Sequence, residues 1–112
     1  INTMLGMRID LRTRKPVIAN KMGGFSGKAI FPVAVRMVYQ VANAVKIPII
    51  GMGGIANAED ALEFMMAGAT GVAVGAMNFI NPYATVETVD GIEKFMEQQK
   101  IENISDIIGC VK

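Results

Sequence analysis

Alternating helix and strand patterns place this 112-residue chain in the α/β class and predict the C-terminal part of a (β/α)8 TIM barrel with a β-hairpin insertion. Three observations lead there. Two short apolar runs, residues 47–51 and 72–74, end in glycine and read as strands buried on both faces. Helical patterns precede, separate and follow them, as parallel strands joined by crossovers require. No Gly-x-Gly-x-x-Gly fingerprint follows either strand, which argues against an open dinucleotide-binding sheet. A full barrel takes roughly 250 residues, so the chain is expected to supply only its closing part. Ile1 opens on what reads as a strand end, so the expectation is of a chain whose beginning is missing.

The expected division is a strand end and hairpin over 1–20, a glycine-rich loop over 21–29, and final βα units over 30–112. Residues 7–11 and 16–20 alternate apolar and polar side chains around Arg12, Thr13, Arg14 and Lys15, a hairpin pattern. Residues 23–27 read as a flexible loop that can close over a barrel mouth. Pro32 suits the first turn of a helix reaching about Lys46, with Ala34, Met37, Val38, Val41 and Val45 on its inner face. Asn57 can cap the next helix, Glu59 and Asp60 suit its first turn, and Gly68 can end it. Asn81 and Pro82 open a helix to about Lys100, with Val86, Val89, Ile92 and Met96 inward. Ser105 is expected to cap a last short helix carrying Ile107, Ile108 and Val111.

Composition narrows the function. Hydrophobic residues make up 52% and charged residues 19%, a globular balance. A net charge of +1 offers no field for nucleic acid or an anionic membrane. Residues 64–86 carry no charge, but glycines, asparagines and Pro82 break the run, so no membrane span is expected. The single cysteine, Cys110, excludes an intrachain disulfide and fits a reducing cytoplasm. It has no histidine partner and reads as an inert thiol; the nine methionines read as core filler, and no metal site is expected.

The chemistry-bearing signal is glycine at two successive strand ends: Gly53 and Gly54 after the first, Gly75 and Ala76 after the second. Bare glycines let backbone N–H groups approach an anion, and a following helix N-terminus adds favourable partial charge. In (β/α)8 proteins the loops after the last two strands commonly hold a phosphate. Singly, each glycine site reads equally well as a tight turn; together they favour phosphate. Asn2 and Thr3, near a strand end, can donate to and accept from a planar ligand, or cap a turn. Arg8, Arg12, Arg14 and Lys15 read as a solvated face or a match for an acidic partner.

The run from Asn20 through Lys21, Met22, Gly23, Gly24, Phe25, Ser26 and Gly27, continuing with Ala29, Ile30, Pro32, Arg36, Met37 and Val38, resembles the segment after the active-site hairpin in NAD-linked (class B) dihydroorotate dehydrogenases. Residues 48–55, Glu59 to Ala61, Ala67 to Ala69 and residues 72–75 continue the likeness to that family's FMN-binding catalytic subunit, over its last third. The resemblance implies a (β/α)8 barrel with FMN at its C-terminal face. It implies FMN contacts from Ile1, Gly27, Gly53, Gly54, Gly75 and Ala76, the last four at the phosphate, and pyrimidine contacts from Asn2 and Thr3. It implies oxidation of dihydroorotate to orotate in pyrimidine biosynthesis, with hydride passing to the flavin and a cysteine base taking the other proton. It implies a homodimer of catalytic subunits, with electrons leaving for NAD through a partner subunit carrying FAD and an iron–sulfur cluster. That cysteine and the flavin-contacting lysines belong to a part of the family outside this chain, so no catalytic residue is expected in it and the chain alone should be inactive. Ala76 stands where the family usually has threonine, and Lys28, Phe31 and Phe25 replace its usual Pro, Lys and Leu. A pyrimidine-reducing FMN barrel of the dihydropyrimidine dehydrogenase type, or a non-catalytic partial barrel acting as an interaction module, are the alternatives.

Overall fold

The structure, a computed structural model, describes residues 4–111. It opens on a nested ribbon of four short strands: β1 (Met4–Gly6), β2 (Ile9–Asp10), β3 (Lys15–Pro16) and β4 (Gly23–Phe25). β2 and β3 form the expected hairpin, with a ladder of only two residues a side. Asp10 closes its turn, its carboxylate accepting from the N–H of Arg12 at 2.8 Å and of Thr13 at 3.2 Å.

The glycine-rich loop needs correction. Gly23, Gly24 and Phe25 form a strand, pairing antiparallel with β1 in the register Met4 to Phe25, Leu5 to Gly24 and Gly6 to Gly23. Glycine has little strand preference of its own; packing supplies the reason. A Cβ on Gly6 would lie 3.4 Å from the Phe25 Cβ, and one on Gly23 would lie 2.7 Å from the Ile18 Cδ1. The bare backbones leave room for those two side chains.

A 3₁₀ turn (Lys28–Ile30) leads into α1 (Phe31–Ala44), with Pro32 in its first turn. Its buried residues are Ala34 and Val38; Val41 and Val45, expected inward, are exposed. A Cβ on Gly68 would fall 2.4 Å from the Ala42 Cβ, so the contact stripe runs Ala34, Val38, Ala42 at helical spacing and leaves Val41 and Val45 to one side.

β5 (Ile50–Met52) and β6 (Gly71–Ala73) pair in parallel, Ile50 opposite Gly71 and Met52 opposite Ala73, joined through α2 (Ala58–Met66). Only one face of β5 is covered. Gly51 is buried against Phe64, while Ile50 is 62% and Met52 44% exposed on the other side. The expectation of burial on both faces fails because helices lie on one side only. The Asn57 side chain caps α2, accepting from the Asp60 N–H at 2.9 Å, and Gly68 follows the helix at φ +117°.

α3 (Ala84–Gln99) packs on α2 through Ala84, Thr88, Gly91 and Ile92. Val86 and Val89, expected inward, are 57% and 55% exposed. Close approach selects small residues instead: a Cβ on Gly91 would lie 2.5 Å from the Ala58 Cβ. The Thr88 hydroxyl donates to the Ala84 carbonyl at 2.7 Å, so its polarity is satisfied inside. The last 3₁₀ turn (Ile104–Asp106) is capped by Asn103, which accepts from the Ser105 N–H at 3.0 Å, so Ser105 is not its cap.

The core gathers Ala34, Val38, Ile55, Ala61, Phe64, Ala67 and Ala69 between α1, α2 and the covered face of β5 and β6. Phe31 meets Phe64 edge to face at 5.5 Å, a favourable aromatic geometry. The radius of gyration is 16.5 Å, above the roughly 13 Å of a compact domain near this size. One open layer of sheet and helix accounts for the excess. Among the described residues no helix is long and apolar enough to cross a membrane.

Candidate functional site

Three backbone turns meet at the C-terminal ends of the parallel strands. After β5, Gly53 and Gly54 take φ of +130° and +78°, a region that side chains disfavour. A Cβ on Gly54 would lie 2.7 Å from the Gly27 carbonyl oxygen and 2.9 Å from the Phe31 Cβ. The bareness of Gly54 therefore lets the Gly27 turn close against the β5–α2 loop. Gly27, at φ +94° and ψ −173°, opens the Lys28–Ile30 turn. After β6 the chain enters a third 3₁₀ turn, Ala76–Phe79, tied down by Asn78, whose side chain donates to the Val74 carbonyl at 2.8 Å.

Between them lies a pocket of about 90 Å³. Gly27 and Lys28 form one wall, Gly54, Ile55 and Ala56 the second, and Ala76, Met77 and Ile80 the third. Of the residues expected at the site, the structure brings Gly27, Gly54 and Ala76 together there. Gly53 and Gly75 do not contribute to the wall. A Cβ on Gly53 would meet Ala34 at 2.7 Å, so its bareness seats the loop on α1, whereas a Cβ on Gly75 would point into open space. Ile1, Asn2 and Thr3 lie outside the described residues.

Sequence reasoning missed one feature of the site. The Lys28 ammonium donates to both carboxylate oxygens of Asp60 and lies 4.7 Å over the Phe31 ring. Asp60 is 5% exposed, and one of its oxygens also accepts from the Ala56 N–H at 2.8 Å. That carboxylate thus joins the Gly27 turn to the β5–α2 loop. An acidic residue three positions after the Asn57 cap was the readable signal, close to a capping box; its partner, far away in sequence, was not. A second, wider concavity of about 540 Å³ lies between the ribbon strands, with Leu5, Met7, Val17, Ile18 and Phe25 on its apolar walls. It shares no residue with the glycine-lined pocket.

Fold and site together define an α/β chain with a parallel strand pair whose C-terminal loops meet around a small, glycine-lined pocket. The dihydroorotate dehydrogenase family model matches residues 1–96, and the chain belongs to that family. It is 70% identical over 112 residues to the dihydroorotate dehydrogenase B (NAD(+)) catalytic subunit of Lachnoclostridium phytofermentans, covering 100% of this chain and 37% of that protein. It is 67% identical over 109 residues to the protein of the same name from Alkaliphilus oremlandii, covering 97% of this chain and 36% of that one. The chain therefore spans little more than a third of the curated relatives it matches. The solved structure of DHODH from Eimeria tenella, in complex with ferulenol, superposes with a TM-score of 0.78 at 24% identity, over 97% of this chain and 29% of that one, and shows the shared fold.

Proposed function

We propose that this chain is the C-terminal part of a (β/α)8 barrel with a hairpin insertion, which binds FMN and oxidises dihydroorotate to orotate in pyrimidine biosynthesis. The observation that carries the reading is the meeting of the Gly27, Gly54 and Ala76 turns on one pocket at the strands' C-terminal ends. In the proposed division, the strand end and hairpin occupy 1–20, the glycine-rich segment 21–29 and the βα units 30–112. The exposed face carrying Ile50 and Met52 would then be barrel interior, covered by the rest of the barrel.

The residues fit the cofactor's tail. A phosphate dianion needs converging donors and no bulk, and a Cβ on Gly54 would fill the junction of two walls. In this reading Gly27, Gly54 and Ala76 line the flavin side from the pocket wall and Gly53 and Gly75 contact it from beside the wall in the same two turns, with Gly53, Gly54, Gly75 and Ala76 near the phosphate. Ile1 adds backbone beside the flavin, and Asn2 and Thr3 hydrogen-bond the pyrimidine. FMN, when bound, supplies the two-electron acceptor. The chain's own residues bind and orient it, and the catalytic base comes from elsewhere in the barrel. The name of the relatives, a catalytic subunit linked to NAD(+), supports a partner subunit for electron transfer; in the proposed assembly the catalytic subunits form a cytoplasmic homodimer and that partner carries FAD and an iron–sulfur cluster.

The test is to express the full-length protein carrying this chain together with that subunit. A flavin absorption spectrum and orotate formation from dihydroorotate are expected. A colourless protein that leaves dihydroorotate untouched sinks the reading. Gly54→Ala is expected to weaken FMN binding by about tenfold or more, because its Cβ would meet the Gly27 carbonyl oxygen at 2.7 Å and force apart two walls of the pocket.

A further inference from the structure

Among the described residues the proposed phosphate pocket has one ionisable wall residue, Lys28; its other walls are glycine, alanine and apolar side chains. The Asp60 carboxylate that Lys28 contacts is not part of the wall. Lys28 therefore belongs both to the pocket wall and to an ion pair with a buried carboxylate. The pair is neutral overall, and of its two members only the lysine borders the space where a dianion would sit.

We propose that Lys28 is the charged ligand of the flavin's phosphate and that Asp60 is its positioning residue, an inference that rests on the FMN reading above. The donor count permits it. An ammonium carries three N–H donors, and two directed at the Asp60 oxygens leave one for a phosphate oxygen. The pair also preorganises the lysine. Its side chain is 59% exposed, so it would otherwise sample many rotamers, but the buried carboxylate at its head and the Phe31 ring beneath it hold one arrangement. Asp60 cannot turn away to compete, because the Ala56 N–H anchors one of its oxygens at 2.8 Å. A fixed cation beside bare amides is a stronger phosphate site than the amides alone.

Comparing FMN with riboflavin, which lacks the phosphate, isolates this contact in the full-length protein. Affinities of the apoprotein for both are measured for wild type, Lys28→Met, Lys28→Arg and Asp60→Asn. Lys28→Met is expected to weaken FMN by about tenfold to a hundredfold, the range of a charge-assisted hydrogen bond, and to leave riboflavin unchanged. Lys28→Arg restores most of the FMN affinity, and Asp60→Asn loses part of it. In wild type, FMN shields Lys28 from acetylation, read by mass spectrometry, and riboflavin does not; this measurement stands even if Lys28→Met fails to fold. Equal losses for both flavins, an unchanged FMN affinity, or acetylation indifferent to FMN overturns the assignment. If wild type itself does not prefer FMN to riboflavin, the phosphate pocket fails, and the FMN reading with it. If it does, and Lys28→Met keeps that preference, only the role of Lys28 falls.

Discussion

The ribbon over residues 4–25 and the βα region that follows both carry abundant apolar side chains, and they treat them oppositely. Among the described residues, every buried one lies between Ala34 and Thr88. In the ribbon Leu5 is 66%, Leu11 89% and Val17 61% exposed. Among the described residues the ribbon is a single layer with nothing across it, whereas α1 and α2 cover β5 and β6. Hydrophobicity proposes burial, but a second layer is needed to deliver it.

The sharpest way to break this comparison is to truncate both regions. Phe64→Ala is expected to lower stability by about 3–5 kcal/mol, because the ring is wholly buried and meets Phe31 and Gly51. Leu11→Ser at the ribbon turn is expected to stay within about 0.5 kcal/mol. Urea unfolding of the full-length protein measures both. Similar losses would mean that the ribbon is covered in the assembled protein, and the contrast would belong to this chain alone.

Adding a methyl group sharpens the same point from the other side. Gly51→Ala would place a Cβ 2.5 Å from the Phe64 Cδ1, so it is expected to cost about 1–3 kcal/mol by overpacking. Gly71→Ala on the neighbouring strand meets open space within this chain, so any loss the same unfolding experiment registers measures how closely the rest of the barrel covers the face that Gly71 shares with Ile50. A smaller effect is expected at the α2 cap, where Asn57→Ala removes the bond to the Asp60 N–H and should cost about 1 kcal/mol. No change there would mean that Asp60 and Lys28 hold the loop without the cap.

Local chemistry made parts of this molecule legible in its sequence. The Asn57 cap and the positive-φ turns at Gly54 and Gly68 are local, so they follow from cap and turn rules; the close approaches of Gly54 to Gly27 and of Gly68 to Ala42 do not. The pairing of Gly23–Phe25 with Met4–Gly6 did not, because it depends on room for Phe25 and Ile18 rather than on strand preference. The buried face of α3 was misread because apolarity points to Val86 and Val89, while close helix contact favours Ala84, Thr88 and Gly91. At the site, the paired glycine turns were visible. The Lys28–Asp60 pair was not, because its members are 32 positions apart and each looks unremarkable alone. Periodicity reports which side chains avoid water; it does not report which backbones approach.

The smallest effect separates the two regions by pH. The N–H groups of Thr13 and Arg12 donate to the Asp10 carboxylate and hold its pKa below the ordinary 3.8. A lowered folded-state pKa means that the carboxylate's contribution is present above the unfolded value and is lost as pH falls through the folded one. Asp10 lies partly exposed at the hairpin turn, away from the core, so the consequence is confined to its turn. On acid titration of isotopically labelled full-length protein, the Arg12 and Thr13 amide signals should move together, with a midpoint below 3.8. Reporters around Phe64 should stay still over that step. Asp10→Asn keeps an accepting oxygen and removes the titration, so it should abolish the movement without undoing the hairpin. Movement of the Phe64 signals with the same midpoint would couple ribbon to core, and the independence of the two regions would be lost.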